Sequence, residues 1–362
     1  MAPEFSDRLE KLKASLHPGF TWYPYDSVGS LFELDKLLTG EWRWPLDLAG
    51  DDPILDLCCA DGDMSFFLES LGCRVTAVDL PETNYNRMAG VRALKQALDS
   101  RIEIRELDLD AQFTLEGRYG LAFFMGALYH LKNPFYVLET LAEHVRYALI
   151  STRVARFTPG ERVPIREAPV AYLVDGDETN LDGTNYWIFS ETGLRRLLAR
   201  TNWGICRFLT LGNTESSDPA SGAGDERAFC LVRSRAVRQQ AHLLNGWHRI
   251  EPAGWRWTEG RFAVAFHDCK RDGGPHLRLN FAIPESLADQ LCPLKLAAAA
   301  GGRELGAATF ASAGEHLFQT RVPEKLRECE PLVIEFTLDK SVPPGPVDKR
   351  ELGVVVTSVE LD

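Results

Sequence analysis

The chain has 362 residues, 45% of them hydrophobic and 25% charged, an ordinary balance for a globular protein and length enough for two hydrophobic cores. No run approaches the roughly 20 apolar residues of a membrane span, and the N-terminus lacks the basic start and apolar stretch of a signal peptide, so a cytoplasmic setting is expected. The net charge of −12 divides into 35 acidic and 25 basic side chains over residues 1–235 and 17 and 15 over 236–362, which supplies no basic footprint for a nucleic acid.

The eight cysteines (58, 59, 73, 206, 230, 269, 292 and 329) show no Cys-x-x-Cys spacing and read as reduced thiols in apolar runs. No histidine has a metal-type neighbour, so no metal site is expected.

In chain order, residues 7–16 alternate charge and leucine with helical spacing until His17-Pro18-Gly19 interrupts them. Phe20-Thr21-Trp22-Tyr23-Pro24-Tyr25 places four aromatics in six positions ahead of an apolar segment, 31–38. Residues 1–45 therefore read as a helical and aromatic lid, in which Tyr23 or Tyr25 closes over a bound ligand or the rings simply pack. Residues 39–51, from Thr39-Gly40 to Gly50-Asp51, lead into the first strand.

Residues 52–80 read as strand, tight loop, helix and strand. The apolar run 54–57 suits a buried parallel strand, Phe66, Phe67 and Leu71 stripe a helix that Gly72 ends, and 75–78 forms a second strand stopping at Asp79. Such a unit binds its ligand at the carboxyl ends of its strands. The turn Cys58-Cys59-Ala60-Asp61-Gly62 has a single glycine where a pyrophosphate needs several, and Asp56, Asp61 and Asp63 repel phosphate. That acidic mouth suits a ligand with an ammonium and no phosphate, such as S-adenosylmethionine, with Asp79 placed to accept both ribose hydroxyls.

These residues resemble the first two motifs of class I S-adenosylmethionine-dependent methyltransferases. In Asp56-Leu57-Cys58-Cys59-Ala60-Asp61-Gly62, Cys58 and Ala60 replace two of the family's three glycines and remain small enough for the methionyl end to approach. The resemblance implies Asp56, Cys58, Ala60, Gly62, Asp79 and Leu80 as cofactor contacts.

Residues 82–99 are helical in pattern and 102–108 alternate as a third strand ending at Asp108. The resemblance makes Asp108, with the Leu109 backbone, an adenine contact; a turn or cap carboxylate is the alternative. Residues 119–125 form a fourth strand, whose end adds Met125 and Gly126 to the cofactor contacts. Asn133 is expected to cap a helix with Pro134 in its first turn and Phe135, Leu138, Leu141 and Val145 on its buried face. Residues 147–152 are a fifth strand.

The long insertion 153–183, punctuated by proline and glycine, reads as functional or disordered. Its Arg153, Arg156, Arg162 and Arg166 form either a basic patch or a solvated loop. Ser190 is expected to cap a helix with Leu194, Leu197 and Leu198 buried. Residues 206–211 and 228–232 are sixth and seventh strands around an exposed loop, 212–225. The segment Met125-Gly126-Ala127-Leu128-Tyr129-His130-Leu131-Lys132-Asn133-Pro134, with the later Thr184-Asn185-Tyr186-Trp187, is similar to methyltransferases related to the bacterial tRNA wobble-uridine carboxymethyl-transferring enzymes. That group uses a carboxylated cofactor, but no Lys or Arg interrupts the strand-end motifs, so ordinary S-adenosylmethionine is expected.

Tyr129 and His130 stand where such enzymes put acceptor-facing groups. His130 reads as a base for a hydroxyl acceptor or as a structural histidine. Asn185, Tyr186 and Trp187 offer an amide and two ring faces to a ring or sugar, or pack in the core.

A helical linker is expected over 233–244, with 236–245 dividing the domains. Beyond it, eight or so short runs from residue 246 onward, separated by turns such as Asp272-Gly273-Gly274-Pro275 and Gly301-Gly302, point to an antiparallel sandwich over 246–362. Trp247, Trp255 and Trp257 pack in it or form a ligand platform. Gly246-Trp247 and Glu251, followed by Trp255-Arg256-Trp257-Thr258, resemble the β-sandwich appended to bacterial glycan-modifying enzymes.

The expected architecture is α/β: a seven-stranded Rossmann-like methyltransferase domain over 46–235, followed by an all-β sandwich. The expected activity is methyl transfer from S-adenosylmethionine to oxygen or nitrogen of a small-molecule or sugar-containing acceptor, with self-association through the sandwich left open. The alternatives are a tRNA wobble-uridine modifying enzyme and a catalytically dead scaffold or glycan-binding protein.

Overall fold

The computed structural model describes residues 2–16, 18–39, 46, 49–50, 52–179, 182–220, 225–236, 241–251, 255–266, 269, 276–329, 331–346 and 348–361. The expected breaks at His17 and Gly40, the Asp51 end of the lead-in to the first strand, the turn at 272–275 and residues 237–240 of the expected linker lie outside them. No helix among the described residues is long and apolar enough to cross a membrane. The chain divides into two units, Met1–Val237 and Arg238–Asp362.

The first unit is built on a mixed sheet. Parallel strands β1 (Ile54–Leu57), β2 (Val75–Asp79), β3 (Glu103–Glu106), β4 (Tyr119–Met125) and β5 (Val145–Ala155) lie in the order β3-β2-β1-β4-β5. Alternation along these strands sorts side chains to two faces, as a period of two requires. Ile54, Val75, Ala77, Leu121, Phe123, Tyr147 and Leu149 join one core cluster with helices α1 (Ala2–Leu16), α2 (Ser30–Leu37), α3 (Asp63–Ser70) and α4 (Ala89–Ala97). Leu55, Leu57, Val78, Ala122, Phe124, Ala148 and Ile150 join the other, with α5 (Pro134–His144) and α6 (Glu191–Arg200).

Among the described residues the sheet has nine strands, against the seven expected. β8 (Trp203–Gly212) and β9 (Glu226–Ser234) are the expected last two, with β9 antiparallel to both β5 and β8. The other two, β6 (Ala171–Leu173) and β7 (Trp187–Ser190), come from the insertion and its end. They pair antiparallel, and β7 joins the last two residues of β5 in parallel. Sequence reading passed over them because strands of three and four residues leave no measurable alternation.

Several local expectations are corrected. The helix expected over 82–99 begins at Ala89, because the Asn84 side chain accepts the N–H groups of Asn86 (3.1 Å) and Met88 (2.7 Å) and holds a turn ahead of it. Asn133 makes no side-chain cap; Asp110 takes the N–H groups of Lys132 (2.8 Å) and Asn133 (3.0 Å) instead. Phe135 is 40% exposed, and Val137 takes its expected place in the core. Ser190 does cap α6, accepting from the Gly193 N–H at 2.9 Å. The described part of 233–244 holds no helix, since β9 runs to Ser234 and β10 (His242–Leu243) begins soon after.

The described residues of the second unit form two five-stranded antiparallel sheets. β10, β13 (Arg261–Phe266), β18 (Leu332–Leu338), β15 (Leu294–Ala300) and β16 (Arg303–Phe310) form one; β11 (Trp247–Ile250), β12 (Arg256–Thr258), β19 (Val355–Leu361), β14 (His276–Ile283) and β17 (Gly314–Arg321) form the other. Both contribute to one hydrophobic cluster, including Phe262, Val264, Leu279, Phe281, Phe318 and Phe336. Edge strand β16, Arg-Glu-Leu-Gly-Ala-Ala-Thr-Phe, was not foreseen because small residues blur its alternation. Trp247 packs against Phe262 and donates its indole N–H to the Ala263 carbonyl (2.8 Å), whereas Trp255 and Trp257 meet edge to face, half-buried.

Candidate active site

Strand parity positions the first two carboxylates. Asp56 follows Ile54 by two residues and Asp79 follows Ala77 by two, so both side chains emerge on the α1–α4 face at the ends of adjacent parallel strands. Asp56 is buried and accepts a hydrogen bond from the Ser65 hydroxyl of α3 (2.6 Å). Burial, with Asp79 and Asp63 adding repulsion, pushes its carboxyl up to about 7. Asp79 accepts from the N–H groups of Ala60 (2.8 Å) and Leu80 (2.8 Å) and from the Asn84 amide (2.9 Å). A carboxylate has about four lone-pair positions, so three donors leave room for one incoming hydroxyl rather than the two expected from sequence.

Between these acids the chain makes a left-handed loop. Cys58, Ala60 and Gly62 have φ of 56°, 53° and 82°, so all three glycine positions of the motif are left-handed although two carry side chains. Gly62 is held to glycine by its φ and by Val91, whose Cγ2 would lie 2.7 Å from an added Cβ. Ala60→Gly should raise the unfolding free energy by about 0.5–1 kcal/mol, since relief of left-handed strain exceeds the added disorder of the unfolded chain. Chemical denaturation checks it; a loss of stability would mean the strain is absent.

Asp61 and Asp63 serve this loop's support instead of its mouth. Asp61 accepts the Tyr23 N–H (2.7 Å) and the Asn86 amide (2.7 Å), drawing the N-terminal segment and the β2–α4 turn together. Gly90 makes room for it, because an added Cβ there would stand 2.0 Å from Asp61 Oδ1. Asp63, first residue of α3, receives the ammonium of Lys13 from α1 at 2.7 Å, and both are buried. Burial nevertheless pushes Asp63 up to about 6, with Lys13 pulling the other way, and its Oδ1 has no hydrogen-bond partner.

The other side of the site lies past β4. Gly126, at φ 68°, gives its N–H to Ser151, and Tyr129 and His130 follow in a short 3-10 turn. His130 Nδ1 lies 3.0 Å from Thr184 Oγ1 and 3.2 Å from the Thr184 carbonyl. The Thr184 hydroxyl donates to Asp182 Oδ1 (2.6 Å), so toward the ring both threonine oxygens act as acceptors. Nδ1 therefore carries the proton and Nε2 keeps the lone pair. Burial lowers the His130 pKa below the usual histidine value, which keeps the ring neutral at pH 7.

Arg227, from β9, joins this group. Its Nη1 lies 3.5 Å from the Tyr129 hydroxyl and its guanidinium 5.6 Å from that ring's centre, while its Nε bonds Asp225 (2.9 Å). The Tyr23 hydroxyl is pushed up to about 12 by burial, then by Tyr129, Tyr25 and Asp79, with Arg227 opposing them. Tyr23 thus senses both Asp79 and the Tyr129–Arg227 pair.

The remaining expected residues are less central. Tyr25 is 69% exposed and stacks edge to face on Tyr23. Asp108 is exposed and accepts the Asp110 N–H, and Leu109 is buried in the α5–α6 core. Met125 is half-buried and packs against the opposite core. Asn185 is buried with its amide on the Thr179 carbonyl, Trp187 donates to the Lys132 carbonyl, and the Tyr186 N–H donates to the Tyr129 carbonyl beneath the Lys132 ammonium. The four arginines at and beyond the end of β5 are taken up individually: Arg153 meets Asp225 (2.9 Å), Arg156 grips buried Glu226 (2.7 Å), Arg166 meets Glu191 (2.9 Å) and Arg162 lies over Phe157.

Sequence reasoning missed Lys13, Ser65, Asn84, Thr184 and Arg227. Only Asn84, in an Asn-x-Asn turn directly after Asp79, carries a local signal.

Residues 34–206 match the model of a family described as a methyltransferase domain. No curated protein matches the chain. Among solved structures it is similar to the N-terminal domain of EvdMO1 with SAH bound (15% identity over 63% of this chain and 97% of that one, TM-score 0.40). It is also similar to TehB from Haemophilus influenzae (19%, 57% and 62%, TM-score 0.38) and to an S-adenosylmethionine dependent methyltransferase from Mesorhizobium loti (15%, 53% and 97%, TM-score 0.37).

Proposed function

We propose that this S-adenosylmethionine-dependent methyltransferase, with its class I domain matched over residues 34–206, methylates an oxygen or nitrogen of a small-molecule or sugar-containing acceptor. When bound, S-adenosylmethionine would supply a sulfonium-activated methyl carbon open to in-line attack by an acceptor lone pair, the C–S bond electrons leaving on the sulfur. Asp56 would hold the methionyl ammonium, and the remaining lone pair of Asp79 would accept from a ribose hydroxyl. The left-handed loop Cys58–Gly62 would let the methionyl end approach the backbone, and Tyr23 would cover the adenosine. Neutral His130 takes the acceptor proton on Nε2, with Thr184 and Asp182 holding its tautomer.

The observation that carries this reading is the pairing of two buried acids on one sheet face with a neutral, tautomer-locked histidine past the fourth strand. The negative overall charge and the carboxylate partners of the insertion's arginines favour a small acceptor over tRNA. We read the two sheets of the second unit as a sandwich that binds part of the acceptor or pairs with a second copy, and 1–45 as a lid.

Calorimetry with S-adenosylhomocysteine tests the cofactor half. An ammonium favours ionised Asp56, so below about 7 binding must expel a proton. Affinity should fall as pH drops from 8 to 6, by up to about tenfold per unit, with proton release detectable across buffers of different ionisation heat. No binding at millimolar ligand would leave the scaffold reading in its place, and binding indifferent to pH would remove Asp56 from the ammonium site.

A further inference from the structure

We propose that Asn86 is the latch of the N-terminal segment: its side-chain amide ties residues 18–29 to the cofactor loop, positions Tyr23 over the site, and lets go each time cofactor or product exchanges. This rests on the methyltransferase reading above and adds a positioning residue to it.

The segment 18–29, between α1 and α2, is held by few bonds. Among the described residues no backbone–backbone hydrogen bond joins 18–26 to the rest of the unit. Side chains grip its backbone at two points instead: the Tyr23 N–H donates to Asp61 Oδ2 (2.7 Å), and the Thr21 carbonyl accepts from Asn86 Nδ2 (3.3 Å). Asn86 Nδ2 also donates to Asp61 Oδ1 (2.7 Å), so one amide serves both grips. Its Oδ1 accepts the Gly90 N–H (3.0 Å), which fixes the orientation of the amide and anchors it on the first turn of α4. Thr21, Pro24, Tyr25 and Asp26 are exposed, and a segment with so little buried surface opens at a small fraction of the cost of global unfolding. The two grips therefore set how often it opens.

The turn that carries Asn86 also reaches the cofactor side. Asn84 donates to Asp79 (2.9 Å) and to the Ala60 carbonyl (3.3 Å), and its Oδ1 accepts the Asn86 N–H (3.1 Å). Tyr85, 56% exposed between the two asparagines, meets the Tyr23 ring edge to face at 6.0 Å. Asp79, Asn84, Asn86, Asp61 and Tyr23 thus form one continuous chain of contacts. A ribose hydroxyl on Asp79 would settle the turn from one end while Tyr23 covers the adenosine from the other, and a ligand that binds the closed segment better shifts it toward closed. Release requires the reverse, with the Asn86 bonds broken and the segment lifted.

Hydrogen exchange of the amides in 19–29, followed in the full-length protein with and without S-adenosylhomocysteine, tests the latch together with the dissociation rate of that ligand. Asn86→Asp keeps an acceptor for Gly90 but turns the donor into a carboxylate facing Asp61. Exchange in the ligand-free variant should rise about tenfold, S-adenosylhomocysteine should leave about tenfold faster, and the slowing of exchange that it causes in the wild type should shrink by the same factor. Tyr85→Ala, which leaves the asparagine bonds in place, should act in the same direction by about threefold. Wild-type exchange in β1 and β4 reports that each variant is folded. Unchanged exchange over 19–29 in Asn86→Asp would overturn the latch, as would an unchanged dissociation rate, or wild-type exchange in this segment that ignores the ligand. Absence of any S-adenosylhomocysteine binding defeats the cofactor assignment instead, and the ligand-free comparison still decides whether Asn86 holds the segment.

Discussion

His130→Ala should reduce methyl transfer by about a hundredfold or more while S-adenosylhomocysteine affinity stays at the wild-type level. The size follows from what the ring does. A hydroxyl acceptor is a poor nucleophile until a base takes its proton, and positioned general bases contribute about 10²–10⁴. His130 meets the requirements of such a base: its pKa is lowered by burial, and Nδ1 donates to a Thr184 whose own hydrogen goes to Asp182, leaving Nε2 free to accept. Because the lowered pKa lies under the ordinary histidine value, the acid limb of the rate profile should fall below pH 6.5, with a plateau at neutral pH. Thr184→Val should cost less, since it loosens the tautomer without removing the base. Single-turnover measurement of methyl transfer against pH checks both variants; unchanged turnover in His130→Ala would take the residue out of the chemistry and return it to a structural role.

Lys13→Met should lower the unfolding free energy by about 3 kcal/mol at pH 8 and by no more than about 1 kcal/mol at pH 5. Removing one partner of a buried ion pair strands the other charge, here Asp63 at the start of α3. The pH dependence comes from Asp63 itself. Its folded pKa, about 6, lies above the ordinary 3.8, so the stability it contributes is present below 3.8 and is lost as pH rises through 6. Without Lys13 that carboxyl moves higher still, and the stranded charge is felt only where the wild-type group is ionised. At pH 5 the carboxyl is protonated in either folded protein and the two variants converge. Denaturant titration at both pH values checks this, and Lys13→Met in an Asp63→Asn background should show no pH dependence. An equal loss at pH 5 and pH 8 would mean that lost packing over the Trp22 ring, not charge, sets the cost. Since α1 is fastened to the start of α3 by this pair, the same variant should loosen the N-terminal segment that brings Tyr23 to Asp61.

Local chemistry made some of this protein readable from its residues. Apolar runs ending in Asp56 and Asp79, the apolar run Tyr119–Met125, the Ser190 cap and the alternating strands of the second unit all depend on neighbours a few positions apart, and local sequence pattern reports such relations directly. The substitution of two motif glycines was visible as well, though only the backbone reveals that Cys58 and Ala60 keep the left-handed shape regardless.

What the sequence by itself determined, then, is that β1, β2 and β4 exist, that Asp56 and Asp79 stand at the ends of the first two and that the loop between them disfavours phosphate, because those follow from spacing and charge along one stretch of chain. Tertiary structure alone decided that Asp63 answers to Lys13 fifty residues earlier, that His130 is held by Thr184, and that Arg227 comes to Tyr129 from ninety-eight residues away. It also turned part of the insertion into two further strands of the sheet. The physical reason is that a side chain's partner is chosen by the register of strands and the packing of helices over the whole unit, and a hydrogen bond or ion pair between distant residues leaves no periodic mark at either end.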